Sequence, residues 1–186
     1  MSLQPTTRDW AQERDALIAL YHATNGDDWY DNTDWLNDDV SFCDGWLGVK
    51  CNANDDVTTI DLHQRNLQGS LPSELGIFRN LNGLYLENNL LSGTIPSELG
   101  LLTQLQDLFL FGNVLTGSIP TELGLLNNFQ KLYLQENMLT GTMPDQVCAL
   151  RDVQGSGDLV VDCGEVQCGS ECCTQCCLDG GACYWT

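Results

Sequence analysis

Acid–base chemistry in this 186-residue sequence would have to use one of two histidines, His22 or His63. Asp61 precedes His63 by two residues, so in a strand both side chains point to the same face and the carboxylate can orient the imidazole. The sequence contains no G-x-S-x-G nucleophile turn, no phosphate-binding glycine loop and no H-E-x-x-H metal motif. It therefore predicts a protein that is not an enzyme and that needs no cofactor.

Ten cysteines are the other reactive side chains, and eight of them lie between Cys148 and Cys183. A reducing compartment rarely tolerates such a density outside metal sites, and the C-x-x-C spacing at Cys173 and Cys176 has no histidine nearby. We therefore expect disulfide bonds rather than zinc, and a secreted or cell-surface location. The cysteines expected to form disulfides are Cys43, Cys51, Cys148, Cys163, Cys168, Cys172, Cys173, Cys176, Cys177 and Cys183.

The charge balance is strongly acidic, with 26 acidic and 7 basic side chains and a formal charge of −19. Such a surface repels nucleic acid and anionic lipid, and no apolar run reaches the roughly 20 residues that span a bilayer. We expect no nucleic-acid partner and no membrane insertion in this segment. Loose binding of divalent cations is compatible with the charge, but the acids lack the spacing of a calcium loop, so no metal site is predicted. Because the first ten residues contain no apolar stretch, we expect an export signal to have been removed.

A repeat of 24 residues positions the side chains, and it runs without a gap over residues 57–152. Alternating aliphatic residues bury one face of a short strand, and stacked coils bury what a single coil cannot. Asn89, Asn113 and Asn137 share one column, where an amide satisfies backbone groups of the neighbouring coil; Arg65 holds this column in the first row and cannot accept a hydrogen bond. The four aliphatic columns are Ile60, Leu84, Leu108 and Leu132; Leu62, Leu86, Leu110 and Leu134; Leu67, Leu91, Leu115 and Leu139; and Leu75, Leu99, Leu123 and Val147.

In nearly every column the row LNGLYLENNLLSGTIPSELGLLTQ resembles the plant-type leucine-rich repeat, L-x-x-L-x-L-x-x-N-x-L-x-G-x-I-P-x-x-L-G-x-L-x-x. The resemblance implies an α/β repeat fold: a right-handed leucine-rich-repeat solenoid with a concave parallel β-sheet and a second, short sheet beside it. The short solenoid also resembles receptor and co-receptor ectodomains. The ALYHATNGDDW segment near the start, together with the CCTQCC tail, resembles exported repeat proteins of diatoms and related algae. These resemblances imply an extracellular binding function.

The N-terminal cap is expected over residues 1–56, with an amphipathic helix at residues 8–25 that stops at the Asn25–Gly26 pair. The apolar residues at near-helical spacing are Trp10, Leu17, Leu20 and Tyr21. The following stretch resembles the N-terminal cap of plant-type repeat ectodomains in Trp35, Cys43, Trp46, Gly48, Val49 and Cys51. The resemblance implies a lid of Trp29, Trp35 and Trp46 over the first coil, closed by a Cys43–Cys51 disulfide.

The C-terminal cap is expected over residues 153–186, rich in cysteine and poor in leucine. Residues 159–161 predict one last strand. Cys148 lies close enough in the coil pattern to pair with Cys163, whereas the partners of the remaining cysteines cannot be assigned from their spacing.

The outward-facing columns of the concave sheet are the natural binding face of such a solenoid. Coils stack about 4.8 Å apart, so aromatic residues repeated in one column form a stripe that suits a ligand with cationic and apolar groups, such as a basic peptide. Stacking on sugar rings is a competing use, and rings that only stiffen the sheet are the structural alternative. The predicted ligand-binding residues are Asp61, His63, Tyr85, Glu87, Asp107, Phe109, Phe111, Tyr133 and Gln135.

These features together predict an extracellular recognition module, monomeric by itself, that binds a protein, a peptide or a polysaccharide through its concave face. The alternative function is that of a structural or adhesive cell-wall component without a specific pocket.

Overall fold

The computed structural model describes residues 10–154, 158–162, 166–168, 172, 175–178 and 182–185. In chain order the helices and strands are α1 (Trp10–Ala23), β1 (Val49–Cys51), β2 (Val57–Asp61), β3 (Gln68–Ser70), β4 (Gly83–Tyr85), β5 (Leu90–Ser92), β6 (Asp107–Phe109), β7 (Thr116–Gly117), β8 (Lys131–Tyr133), β9 (Met138–Leu139), β10 (Gly141–Thr142), α2 (Asp145–Gln154), β11 (Asp158–Asp162), β12 (Val166–Gln167), β13 (Gln175–Leu178) and β14 (Ala182–Trp185). Short 3-10 helices span Gly26–Asp28, Ser73–Ile77, Ser97–Leu101 and Thr121–Leu125.

One eight-stranded sheet runs along the molecule in the order β1-β2-β4-β6-β8-β11-β13-β14. Pairing is parallel from β2 to β13, and the same column aligns in each coil, since Ile60 pairs with Leu84 and Leu84 with Leu108. The outermost strands β1 and β14 pair antiparallel with their neighbours. Three two-stranded parallel sheets form beside the main sheet: β3 with β5, β7 with β9, and β10 with β12. The expected solenoid with a parallel sheet and a short second sheet is confirmed.

The core is built from the four predicted aliphatic columns, all of whose members are buried. Further along each coil a second aliphatic or aromatic residue is buried as well, as at Phe78, Leu102 and Leu126. Each of the first three coils closes through a 3-10 helix that follows a proline, and the fourth closes through α2, which follows Pro144. Proline suits the position before a helix because its fixed φ is compatible with the turn and it has no N–H that would need a partner.

The asparagine column forms a ladder of buried amides. The Asn113 Nδ2 donates to the carbonyl oxygens of Leu86 and Leu110, each at 3.0 Å, and its Oδ1 accepts from the Leu91 N–H at 2.9 Å. Each amide thereby links its own coil to the preceding one, which satisfies backbone groups that the turn would leave unpaired. At the C-terminal end, Asp162 of β11 accepts from the N–H groups of Glu136 and Asn137 at 2.9 and 3.1 Å, and so extends the ladder into the cap.

The N-terminal cap is an aromatic lid, as expected. Trp29, Trp35 and Trp46 are buried, with ring centroids 4.9 Å apart between the first two and 5.1 Å apart between the last two. The Cys43–Cys51 disulfide is present. The prediction that Trp10 lies on the buried side of the helix is wrong. Trp10 is the first residue of α1 and its side chain is 54% exposed, because the buried residues of the helix begin only at Glu13. Glu13 links α1 to the repeats, because its carboxylate accepts a hydrogen bond from the Val57 N–H at 3.0 Å.

The C-terminal cap departs from the predicted pairing, because Cys148 is bonded to Cys172 and not to Cys163. The two bonded residues are 24 positions apart, the length of one coil, so the chain has passed through β11 and β12 before it returns to α2. The expected strand at residues 159–161 exists as part of β11, yet the sheet continues beyond it through β13 and β14. Cys168 is also disulfide-bonded. Cys163 and Cys173, and the side chains of Cys176, Cys177 and Cys183, lie outside the described residues.

Candidate functional site

Eight of the nine predicted binding residues lie on the concave face at two outward-facing columns of the sheet, and the ninth, Asp107, begins β6 two residues before Phe109. The first column is the last residue of four successive strands: Asp61, Tyr85, Phe109 and Tyr133. The second column follows two positions later: His63, Glu87, Phe111 and Gln135. Backbone hydrogen bonds continue past the strand ends, as from Asn88 N–H to Phe111 O at 2.9 Å, so the second column keeps the register of the first.

Four of these residues form one aromatic cluster, defined as Tyr85, Phe109, Phe111 and Tyr133. The Phe109 ring stacks on Tyr133 with a centroid distance of 4.6 Å and an interplanar angle of 12°, and it meets the edge of Tyr85 at 5.1 Å and 81°. Phe111 lies 6.3 Å from Phe109 and 6.4 Å from Tyr133. All four rings are half-buried, not bare, because each covers part of its neighbour.

Hydrogen bonds from the two phenols fix the outer rings of the cluster. The Tyr85 hydroxyl donates to Asp107 Oδ2 at 2.9 Å, and the Tyr133 hydroxyl donates to Asp158 Oδ2 at 3.3 Å. The Tyr85 ring lies over Gly83 on its own strand, where an added Cβ would collide with it. Burial, followed by the bond to Asp107, raises the pKa of Tyr85 to about 12.

Three acceptor oxygens beside the cluster are buried without a hydrogen-bond partner: Glu87 Oε2, Asp107 Oδ1 and Gln135 Oε1. Burial raises the pKa of the Glu87 carboxyl, an effect opposed by a backbone hydrogen bond and by the nearby imidazole of His63. An unsatisfied buried acceptor costs free energy. The concave face therefore joins an apolar surface to acceptors in need of donors.

The His63–Asp61 pair forms as the spacing indicates, with 2.5 Å between His63 Nδ1 and Asp61 Oδ1. The imidazole is exposed at the first coil, and the neighbouring acid at the same column of the next coil is Glu87. In the described part of the chain, no three His, Cys, Asp or Glu side chains come close enough together to hold a metal ion. Over the same residues, no helix is both long enough and apolar enough to cross a membrane.

Asp158 belongs to this face and was missed by the sequence reasoning. It pairs with Lys131 in the parallel register of β11 and β8, which places its carboxylate beside the Tyr133 hydroxyl. The repeat column that would have revealed it ends at residue 152, because the step from β8 to β11 is 27 residues instead of 24.

Comparison with known proteins places this architecture in a family. Sequence profiles match residues 11–52 as a leucine-rich-repeat N-terminal domain and residues 80–102 as a leucine-rich repeat. The BIR2 ectodomain from Arabidopsis thaliana is 30% identical with a TM-score of 0.70, and the match covers 81% of this chain and 80% of that one. The chain belongs to the leucine-rich-repeat family.

Two further solved structures are similar to this leucine-rich-repeat chain, both from Arabidopsis thaliana. The ectodomain of the receptor kinase GASSHO1/SCHENGEN3, in complex with CASPARIAN STRIP INTEGRITY FACTOR 2, is 31% identical with a TM-score of 0.70; the match covers 83% of this chain and 18% of the receptor chain. A chain of the BIR3–SERK2 complex is 28% identical with a TM-score of 0.61, and the match covers 81% of this chain and 81% of that one. The leucine-rich-repeat chain thus spans less than a fifth of the longer relative. No curated protein sequence matches it significantly.

Proposed function

We propose that this leucine-rich-repeat chain is an extracellular recognition module that binds a protein or peptide segment through the aromatic cluster on its concave face. The observation that carries the proposal is the stack of Tyr85, Phe109 and Tyr133, held in place by two phenol hydrogen bonds and bordered by unpaired acceptors. Rings that are already fixed lose little conformational entropy on binding and offer a large contact area. The proposal assigns no reaction to the chain.

The chemistry of the face favours a ligand that carries a positive charge next to apolar groups. Glu87, Asp107 and Gln135 bring acceptor oxygens to this face, and two of the three side chains are acids. A guanidinium or ammonium group beside Phe111 would gain from the ring face as well as from the Glu87 carboxylate. A basic peptide segment with an aromatic or aliphatic side chain satisfies both requirements.

The relatives support a binding role and a location outside the cell. The GASSHO1/SCHENGEN3 ectodomain is described in complex with CASPARIAN STRIP INTEGRITY FACTOR 2, and BIR3 in complex with SERK2. The Cys43–Cys51 and Cys148–Cys172 disulfides are typical of an oxidising compartment. We therefore propose that the chain is secreted or displayed at the cell surface.

The test is a parallel screen of synthetic peptide and glycan arrays, followed by calorimetric titration of the strongest ligand. Replacing Phe109 and Phe111 together by alanine should weaken that ligand by at least ~2 kcal/mol, since central aromatic residues dominate interfaces of this kind. A hit among basic peptides supports the proposal, whereas hits confined to glycans would assign the rings to sugar stacking.

A matched control separates binding from the alternative that the rings only stiffen the sheet. Leu90 and Met138 are half-exposed apolar residues away from the cluster, so their replacement by alanine should leave affinity unchanged. Thermal melting of each variant reports stability independently. If the Phe109→Ala and Phe111→Ala changes lower the melting temperature but not the affinity, the cluster is structural and the proposed site is wrong.

A further inference from the structure

The side of the solenoid that carries the 3-10 helices of the coils, here called the helical face, displays two rows of side chains. Each of these helices has a glutamate in its first turn and an aliphatic residue three positions later. Because a 3-10 helix has three residues per turn, the two side chains lie on the same side of it. Neighbouring 3-10 helices pack against each other, with α1 at one end and α2 at the other. The acidic row is Glu74, Glu98 and Glu122, and the aliphatic row is Ile77, Leu101 and Leu125.

Two of the three residues of the aliphatic row lie outside the core, whereas Ile77 is partly buried and packs against it. Leu99 and Leu102, neighbours of Leu101 in the same coil, are fully buried, whereas Leu101 and Leu125 are 57% and 54% exposed. A single exposed leucine is ordinary on a soluble protein, but residues repeated in register on adjacent coils make a continuous apolar strip. Leu101 and Leu125 therefore present apolar surface to solvent that the core does not use.

The acidic row is held in a regular arrangement. The hydroxyl of the preceding residue donates to each glutamate, at 3.2 Å from Ser73, 3.3 Å from Ser97 and 3.2 Å from Thr121. Gly100 lets adjacent coils close up here, since an added Cβ would collide with the Glu122 backbone. Neither of the ion pairs found among the described residues involves the row. The carboxylates are therefore not neutralised by a basic side chain through either of those pairs.

Both rows end at a cleft of about 320 Å³ between α1 and the first of these 3-10 helices. Four residues at helical spacing form the α1 side, and one glutamate and one isoleucine form the other. The lining contains aliphatic side chains and two carboxylates but no basic group: Gln12, Asp15, Ala16, Ala19, Glu74 and Ile77. An arginine or lysine suits this cleft, because its methylene stem can lie on the aliphatic walls while its charged end meets the carboxylates.

We infer that the helical face is a second docking surface, distinct from the concave face, for a cationic partner segment that combines basic and aliphatic side chains. Charge decides between the possible occupants. A second copy of this chain would bring like-charged rows together, and an anionic lipid surface would be repelled by a protein of charge −19. A basic and aliphatic segment covers the strip while its charges neutralise the glutamates.

The probe for this surface is a fluorescent synthetic helix of about 18 residues, with lysines on one side and leucines on the other. Anisotropy titrations use the full chain at ~0.15 M salt, where long-range attraction is screened. Replacing Glu74 and Glu98 by glutamine should weaken binding at least about fivefold, and so should replacing Leu101 and Leu125 by serine. Circular dichroism of each variant verifies that the surface changes leave the fold intact.

Matched controls make the same chemical changes elsewhere on the chain. Asp39→Asn with Asp44→Asn removes two exposed carboxylates from the N-terminal cap, and Leu90→Ser with Met138→Ser removes two similarly exposed apolar side chains. Each control pair should change binding less than about twofold. Equal weakening by the controls would mean that the probe senses only overall charge or hydrophobicity, which overturns the inference.

The concave face provides the remaining control. Phe109→Ala with Phe111→Ala should leave the affinity for the probe unchanged, whatever its effect on a concave-face ligand. Loss of the probe in that variant would place it on the concave face and would refute a second surface. Failure of the natural chain to bind the probe at all would refute it as well.

Discussion

The three asparagines of the ladder protect different numbers of backbone groups, so their replacement by alanine should destabilise the protein unequally. Asn113 donates to Leu86 O and Leu110 O, but each of these carbonyls also receives an N–H from the asparagine of an adjacent coil, at 3.0 Å. The Leu91 N–H is donated to Asn113 Oδ1. Asn113→Ala therefore leaves one buried group, the Leu91 N–H, without its partner.

Asn89 is the sole hydrogen-bond partner of more backbone groups than Asn113, because the first coil has Arg65 in the asparagine column. The Asn89 Oδ1 accepts from the N–H groups of Arg65 and Leu67 at 2.9 and 3.1 Å, and its Nδ2 donates to Leu62 O at 2.9 Å. No asparagine of a preceding coil is available to take over the Leu62 carbonyl. Asn89→Ala therefore leaves three backbone groups without their hydrogen-bond partner. Leu67 N–H and Leu62 O are in the core, and Arg65 N–H is at a half-buried position.

Each stranded buried backbone group costs about 1–3 kcal/mol. On this basis Asn113→Ala should lower the free energy of unfolding by ~1–3 kcal/mol and Asn89→Ala by ~2–6 kcal/mol. The loss for Asn137→Ala should fall between these two. This change leaves two buried groups without a partner, Leu115 N–H and Leu134 O, but it has no third group like the half-buried Arg65 N–H that Asn89 pairs. Urea denaturation followed by circular dichroism and by the fluorescence of the cap tryptophans measures the three losses.

Asn128 provides the control, because its amide is exposed and its single bond, to Thr103 O at 2.8 Å, lies in solvent. Asn128→Ala should change the free energy of unfolding by less than about 0.5 kcal/mol. If Asn113→Ala proved as costly as Asn89→Ala at equal denaturant slopes, the sharing of carbonyls along the ladder would not govern its energetics.

Four further outcomes follow from the described contacts. Leu108→Ala should lower the free energy of unfolding by ~2–5 kcal/mol in the same assay, because a fully buried core side chain is lost. Replacing both Cys43 and Cys51 by serine should lower it by ~2–3 kcal/mol through the freed loop. Burial raises the pKa of Tyr85 to about 12, so its stabilising contribution should be lost as pH rises from 10 towards 12; an absorbance titration of the phenolate in Tyr85→Phe should lack this late step. Burial also raises the pKa of Glu87, so the stabilising contribution of this carboxyl is present below its ordinary pKa of 4.5 and is lost as pH rises through the folded value; the difference in melting temperature between the natural chain and Glu87→Gln should change with pH over that range.

The interior of the solenoid could be predicted from the sequence because the same physical demand recurs in four coils. Leu84, Leu108 and Leu132 occupy equivalent positions in successive coils and have equivalent neighbours. A wrong assignment at one position would therefore disagree with the other two. The aromatic cluster followed from the same register: residues at one column must lie side by side. What the column could not give is the tilt of each ring, which depends on Gly83 beneath Tyr85 and on the acids that accept from the phenols.

The C-terminal end resisted prediction because its residues do not recur in other coils, so no second example of the same environment was there to guide it. A column analysis assumes a step of 24 residues, but the chain takes 27 between Lys131 and Asp158, so Asp158 and the last strand fall outside the columns. The partner of Cys148 does lie one 24-residue step away, at Cys172, but it is one of several closely spaced cysteines, and their spacing did not single it out. The backbone N–H groups of the last coil still need acceptors, but an aspartate supplies them instead of an asparagine. Asp162 supplies two acceptor oxygens, for the N–H groups of Glu136 and Asn137, where an asparagine of a fifth repeat would have supplied one oxygen and an NH2 group that must itself be paired. A carboxylate is therefore the natural terminator of an amide ladder, since it satisfies the last N–H groups and brings no N–H that would itself need a partner.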